Sequence, residues 1–134
     1  MKRFTQAVCL LLVAIMILAI PTFAAEQASD FFMSHSCYLW EVSDSEFQVW
    51  FNVTAVDAMD ILGVSEIKVQ RSTDKANWET VQTYSGIYGY GVSYKSGHVT
   101  YSSATSGYYY RAKVTFYAEN DTGIGKYTDY TSYI

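Results

Sequence analysis

The sequence predicts an all-β protein: an antiparallel β-sandwich of about seven strands, preceded by a signal-peptide helix. Three observations lead to this prediction. Beyond residue 24, apolar and polar residues alternate with a period of two, and the helical period is absent. Residues that favour strands are abundant, including 13 Tyr and 3 Trp. Turn-forming residues separate the alternating segments at short intervals, which is typical of a sandwich.

Residues 1–24 have the three parts of a secretory signal peptide. Lys2 and Arg3 give a positive start, an apolar run covers residues 7–20, and small residues precede the expected cut after Ala24. The run is shorter than the roughly 20 residues that span a bilayer, so cleavage is favoured over a retained anchor. We therefore expect a secreted, extracellular protein.

After cleavage, we expect a flexible mature N-terminus at 25–34 and the β-sandwich domain at 35–134. Without Lys2 and Arg3, the chain keeps 7 basic and 13 acidic residues, a net charge of −6. Such a chain repels nucleic acid and anionic lipid, so neither nucleic acid nor a membrane is an expected partner. Cys9 leaves with the signal peptide, which leaves Cys37 alone and excludes an internal disulfide.

The first two predicted strands are 36–42 and 46–56, joined by a polar turn at 43–45. The second alternates cleanly, which gives it one apolar and one polar face. The apolar face carries Phe47, Val49, Phe51, Val53 and Ala55, and the polar face carries Glu46, Gln48, Trp50, Asn52 and Thr54.

Residues 57–63 are predicted to form a connection with one helical turn, which places Met59, Ile61 and Leu62 on the core. The third strand, 64–72, directs Ile67 and Val69 inward. A turn at 74–77 leads into the fourth strand, 78–84.

The glycine-rich region that follows is predicted to hold one or two strands between 87 and 102, because Ser85-Gly86 and Ser96-Gly97 are potential breaks. The longest strand is predicted at 108–118. It directs Tyr110, Ala112, Val114 and Phe116 inward. A turn at 120–123 precedes the last strand, 126–134.

Two segments carry a resemblance to a known family. Residues 67–74 and 77–81 form a hairpin with a tryptophan after a polar turn, and this resembles the central hairpin of fibronectin type III sandwiches. Residues 108–114 resemble the tyrosine-bearing sixth strand of that family. The whole chain is also similar to small uncharacterised secreted proteins of Gram-positive bacteria. These likenesses imply an immunoglobulin- or fibronectin type III-like sandwich and a secreted location, and they imply no site residues.

Catalysis has weak support in the sequence. His35 and Cys37 point the same way on a predicted strand, and they are the one pair that could support a nucleophile. One histidine beside one thiol is far below a known motif, so a structural role is favoured. Two histidines and one cysteine are also too few for a structural zinc site. We expect no enzyme activity, no metal and no cofactor.

The aromatic residues are the feature that points to binding. Trp50 lies on the polar face of its strand, and Tyr88, Tyr90 and Tyr94 share one side of the glycine-rich segment. These four are the candidate ligand-binding residues, although they could instead brace neighbouring strands. We expect a secreted, non-enzymatic binding domain with a protein partner. The alternatives are a carbohydrate-binding module, a self-assembling surface protein that pairs through an exposed edge strand, and a small enzyme.

Overall fold

The computed structural model describes residues 30–134, which form one curled antiparallel sheet of five strands. The predicted all-β antiparallel class is confirmed, but the strands number five rather than seven. The predicted signal-peptide helix lies outside the described residues. The strands are β1 (Phe32–Ser43), β2 (Glu46–Ser72), β3 (Glu79–Tyr101), β4 (Tyr109–Asn120) and β5 (Gly123–Tyr130).

The long strand β2 organises the sheet because its two halves have different neighbours. Its first half pairs with β1 on one side and with the end of β3 on the other. Its second half pairs with the beginning of β3 and with β4, and β4 pairs with β5. The predicted connection at 57–63 is therefore wrong. The strand continues through it, and the register with β3 shifts between Thr54 and Met59.

The predicted breaks in the glycine-rich region are also wrong, since β3 is continuous through Ser85-Gly86 and Ser96-Gly97. Glycine at position 97 serves close packing, because a Cβ there would lie 3.1 Å from the Phe51 ring. The strand turns instead at Gly91, whose φ of 66° favours glycine.

The core lies between the inner sides of the two halves of the sheet. The Phe47 ring of β2 lies 5.5 Å from the Tyr110 ring of β4, and His35 of β1 lies 4.9 Å from Phe116 of β4. The inward residues predicted for these strands are confirmed. The following side chains are all buried: Phe47, Val49, Phe51, Val53, Ala55, Ile67, Val69, Tyr110, Ala112, Val114 and Phe116.

The ends of several strands differ from the prediction. β1 begins at Phe32 rather than Ser36, and Phe31 before it is buried against Gly125, so the segment predicted as flexible at 25–34 overlaps this packed region. The longest strand is β2 rather than the strand predicted at 108–118, and β5 ends at Tyr130. Within residues 30–134, no helix has the length and apolar character to cross a membrane.

Candidate binding surface

The middle of one outer face of the sheet carries no Asp, Glu, Lys or Arg, and Glu46 lies just beyond it on the same side of β2. Three strand segments build it: β1, the first half of β2, and the end of β3. Their outward residues stand opposite each other in four rows, which run Trp40, Gln48, Thr100; Tyr38, Trp50, His98; Ser36, Asn52, Ser96; and Ser34, Thr54, Tyr94. We call these twelve residues the uncharged face.

The second row places three aromatic rings side by side across the strands. The Trp50 and His98 rings stack with centroids 4.3 Å apart, and the Tyr38 ring is nearly parallel to Trp50 at 6.4 Å. The indole N–H of Trp50 donates a hydrogen bond to Gln48 Oε1 at 2.9 Å. Trp50 is half-buried, with the His98 ring stacked against it and the Tyr38 ring parallel to it at a greater distance. It therefore braces the three strands and offers mainly its edge to a ligand.

The exposed aromatic rings of this face lie around Trp50. Trp40 has an exposed fraction of 61 %, Tyr94 of 56 % and Tyr38 of 46 %. Among the described residues, the Trp40 ring makes no stacking or cation contact. Tyr38 and Trp40 were not among the candidate binding residues predicted from the sequence. The predicted turn at 43–45 could have identified them, because a hairpin folded about Asp44 places Tyr38 opposite Trp50.

The three tyrosines of the glycine-rich segment do not form one group on this face. Tyr94 belongs to it, opposite Thr54. Tyr88 lies on the far side of the Gly91 bend, with its ring 5.6 Å from Tyr117. Tyr90 also precedes the bend and is the most exposed aromatic residue described, at 69 %. The bend thus separates Tyr88 and Tyr90 from Trp50.

The outer side of the other half of the sheet has a different chemistry, because its aromatic rings hold cations. The Arg111 guanidinium lies between Trp78 and Tyr130, 4.3 Å and 4.4 Å from their centroids. The Lys75 ammonium lies between Tyr109 and Tyr133, at 4.5 Å and 4.7 Å. These rings already have cations as partners within the protein.

The pair His35 and Cys37 lies in the seam between β1 and β5 and is poorly suited to catalysis. Burial, followed by the nearby Asp129 carboxylate, raises the pKa of the Cys37 thiol to about 12. A thiol with that pKa remains protonated at neutral pH, whereas a nucleophile must be a thiolate. His35 packs between Phe116 and Tyr127, and its buried Nδ1 lies 3.9 Å from Asp129 Oδ2 without a hydrogen bond.

An open cleft of about 570 Å³ lies at the end of the sheet near the turn that joins β1 and β2. Its lining includes Phe47, Tyr110 and Glu41. The Tyr110 hydroxyl already accepts a hydrogen bond from the backbone N–H of Thr105 at 2.9 Å. Within residues 30–134, no three or more His, Cys, Asp or Glu side chains are grouped to hold a metal ion.

No protein-family model, curated protein or solved structure matches the chain, so its own residues carry the functional interpretation.

Proposed function

We propose that the chain is a secreted, non-enzymatic binding domain that attaches to a protein partner through the uncharged face. One observation carries this proposal: twelve neighbouring outward residues lack any Asp, Glu, Lys or Arg while including exposed Trp40, Tyr38 and Tyr94. Depletion of charge combined with enrichment in Trp and Tyr is the compositional signal of the centre of a protein interface. Serine and asparagine fill the spaces between the rings, as they do between the aromatic anchors of antibody paratopes.

The stacking of Trp50 favours a protein over a carbohydrate. A sugar stacks on the open face of an aromatic ring, and the Trp50 ring stands in a row between the His98 ring, stacked at 4.3 Å, and the parallel Tyr38 ring at 6.4 Å. A protein surface can instead pack its side chains against the row of ring edges. The carbohydrate alternative keeps one specific observation in its favour: the open Trp40 ring lies in a row with the hydrogen-bonding groups of Gln48 and Thr100.

The proposed fold is an immunoglobulin- or fibronectin type III-like sandwich. Counting each half of β2 and of β3 as a strand gives seven segments, three in the half that bears the uncharged face and four in the other. The Tyr110 hydroxyl, which bonds to the backbone of Thr105 five residues upstream, supports the same proposal because tyrosine corners are typical of these sandwiches. The lysine–arginine start and apolar run of residues 1–24 support export.

A photo-crosslinking experiment with matched positions tests the proposal. Tyr38 on the uncharged face and Tyr130 on the opposite outer face have equal exposed fractions of 46 %. Each is replaced in turn by p-benzoylphenylalanine, and the purified protein is irradiated with extracellular proteins from the native source. We expect a discrete adduct from position 38, no such adduct from position 130, and loss of the first adduct when Trp40→Ala is added.

The controls separate the possible outcomes. Both crosslinking variants must keep the wild-type melting temperature. Equal adducts from both positions, or none from position 38, would refute a protein partner on this face. Retention on immobilised glycans that Trp40→Ala abolishes would replace the protein partner with a carbohydrate.

A further inference from the structure

The charged residues of the protein are divided unevenly between the two halves of the sheet. The half that bears the uncharged face, residues 30–60 and 92–106, contains six acidic residues and one basic residue. The other half, residues 61–91 and 107–134, contains six acidic and six basic residues. The first half therefore has a net side-chain charge of −5, and the second is neutral.

Four of the six acidic residues of the first half lie at the ends of the uncharged face. Asp44 and Glu46 lie at the hairpin turn beside the Trp40 row, and Asp57 and Asp60 follow the Thr54 row along β2. Glu46 is half-buried and the other three are exposed, whereas Glu41 stands opposite buried Phe47 on the inner side of the sheet. The one basic residue of this half does not balance them on the face, because Lys95 stands opposite buried Val53 on the inner side of the sheet.

The two halves also differ in whether a cation lies close to their aromatic rings. In the neutral half, the rings of Trp78, Tyr108, Tyr109, Tyr117, Tyr130 and Tyr133 each have a Lys or Arg within 4.3–5.7 Å. On the uncharged face, none of the described rings has such a cation. These rings have the electron-rich surfaces that attract cations, and the negative potential around them adds to that attraction.

From this arrangement we infer that the partner presents an arginine- or lysine-bearing polypeptide segment to the uncharged face. Its cations lie over the Trp40, Tyr38 and Tyr94 rings, and further positive charges face the acidic residues at both ends. This inference rests on the proposed function, which requires only that a protein binds this face. An acidic partner would meet repulsion at both ends of the same surface.

The probe is a short fluorescent peptide of alternating arginine and serine, with a peptide of alternating glutamate and serine as its counterpart. Binding to the purified protein is followed by fluorescence anisotropy at low and high salt. We expect the arginine peptide to bind, its affinity to fall as salt screens the charges, and the glutamate peptide not to bind.

Two variants with equal changes in charge locate the site. The rim variant combines Asp44→Asn, Glu46→Gln, Asp57→Asn and Asp60→Asn. The matched control removes four acidic charges from the neutral half and combines Glu66→Gln, Glu79→Gln, Glu119→Gln and Asp121→Asn. We expect affinity for the arginine peptide to fall about tenfold in the rim variant and less than about twofold in the control, because only the first set adjoins the rings.

A third variant, Trp40→Ala with Tyr38→Ala, keeps every acidic residue and should lose at least as much affinity as the rim variant. Equal losses in the rim variant and its control would mean attraction by net charge alone and would overturn the inference. Full binding by the third variant, or no binding of the arginine peptide to the wild type, would overturn it as well. A position-38 adduct with a partner would still support the proposed function in those cases, so the two failures are distinguishable.

Discussion

Trp50→Ala should destabilise the protein, whereas Trp40→Ala should not. Burying about 100 Å² of a half-covered indole contributes about 2.5 kcal/mol at ~25 cal/mol per Å². The ring contacts with Tyr38 and His98 add about 0.5–1.5 kcal/mol each. Because loss of the ring also lets the neighbours relax, we expect a net loss of about 3 kcal/mol in the free energy of unfolding. Trp40→Ala should change the free energy of unfolding by less than about 0.5 kcal/mol, because the Trp40 side chain is 61 % exposed and makes no ring contact among the described residues.

Chemical denaturation followed by circular dichroism measures both values, provided that the denaturant slope is unchanged between variants. Fluorescence quenching gives an independent check in variants that keep a single tryptophan. The quenching constant should be clearly lower for Trp50 than for Trp40. Equal losses of stability for the two alanine variants, or equal quenching, would refute the assignment of Trp50 as a brace and Trp40 as an open ring.

Three further predictions concern the core, the thiol and the hairpin loop. Phe116→Ala should cost about 3–5 kcal/mol, measured by denaturation, because its ring is fully buried; an unchanged midpoint would contradict the inward register of β4. Cys37 should react with iodoacetamide at pH 8 far more slowly than free cysteine, because its raised pKa leaves little thiolate; a rate equal to that of free cysteine would show an accessible, ionised thiol. Hydrogen bonds from Asn77, Ala76 and Ser72 hold the pKa of Asp74 well below its usual range, so this carboxylate stabilises the fold above about pH 4 and the contribution is lost as pH falls. Thermal melts of Asp74→Asn should therefore depend less on pH below 4 than those of the wild type, and parallel curves would count against this.

The inward residues could be predicted wherever a strand keeps a strict two-residue period. The first half of β2 and all of β4 follow that period, and every residue predicted inward there is buried. The segment 57–63 could not be predicted in the same way, because its buried residues do not keep a two-residue period. Both Met59 and Leu62 reach the core although they are three residues apart. The three-residue spacing of these apolar residues led to the prediction of a helical turn, whereas the segment is an irregular part of the strand.

Glycine misled the prediction of β3 for a different physical reason. In a sequence, glycine commonly marks a turn, and only the neighbouring strand shows whether it serves close packing instead. A side chain at Gly63 would collide with the carbonyl oxygen of Ile87, and one at Gly97 would crowd Phe51. These contacts join residues far apart in sequence, so no local pattern reports them. Of the glycines in β3, Gly91 alone has a positive φ and changes the direction of the strand.

The uncharged face could be predicted in part, and the residues that could not be predicted depend on how β3 pairs with β2. Alternation placed Trp50 on the outer face, and the turn about Asp44 made Tyr38 its partner. His98 could not be assigned, because β3 pairs with the first half of β2 only after the bend at Gly91. This register also explains why the two outer faces differ. Arg111 and Lys75 each fill the space between two rings, so these four rings of the neutral half have their cations within the fold. On the uncharged face the rings stack on one another or stand open, and the acidic ends leave a cation from another molecule as the partner that the surface attracts most strongly.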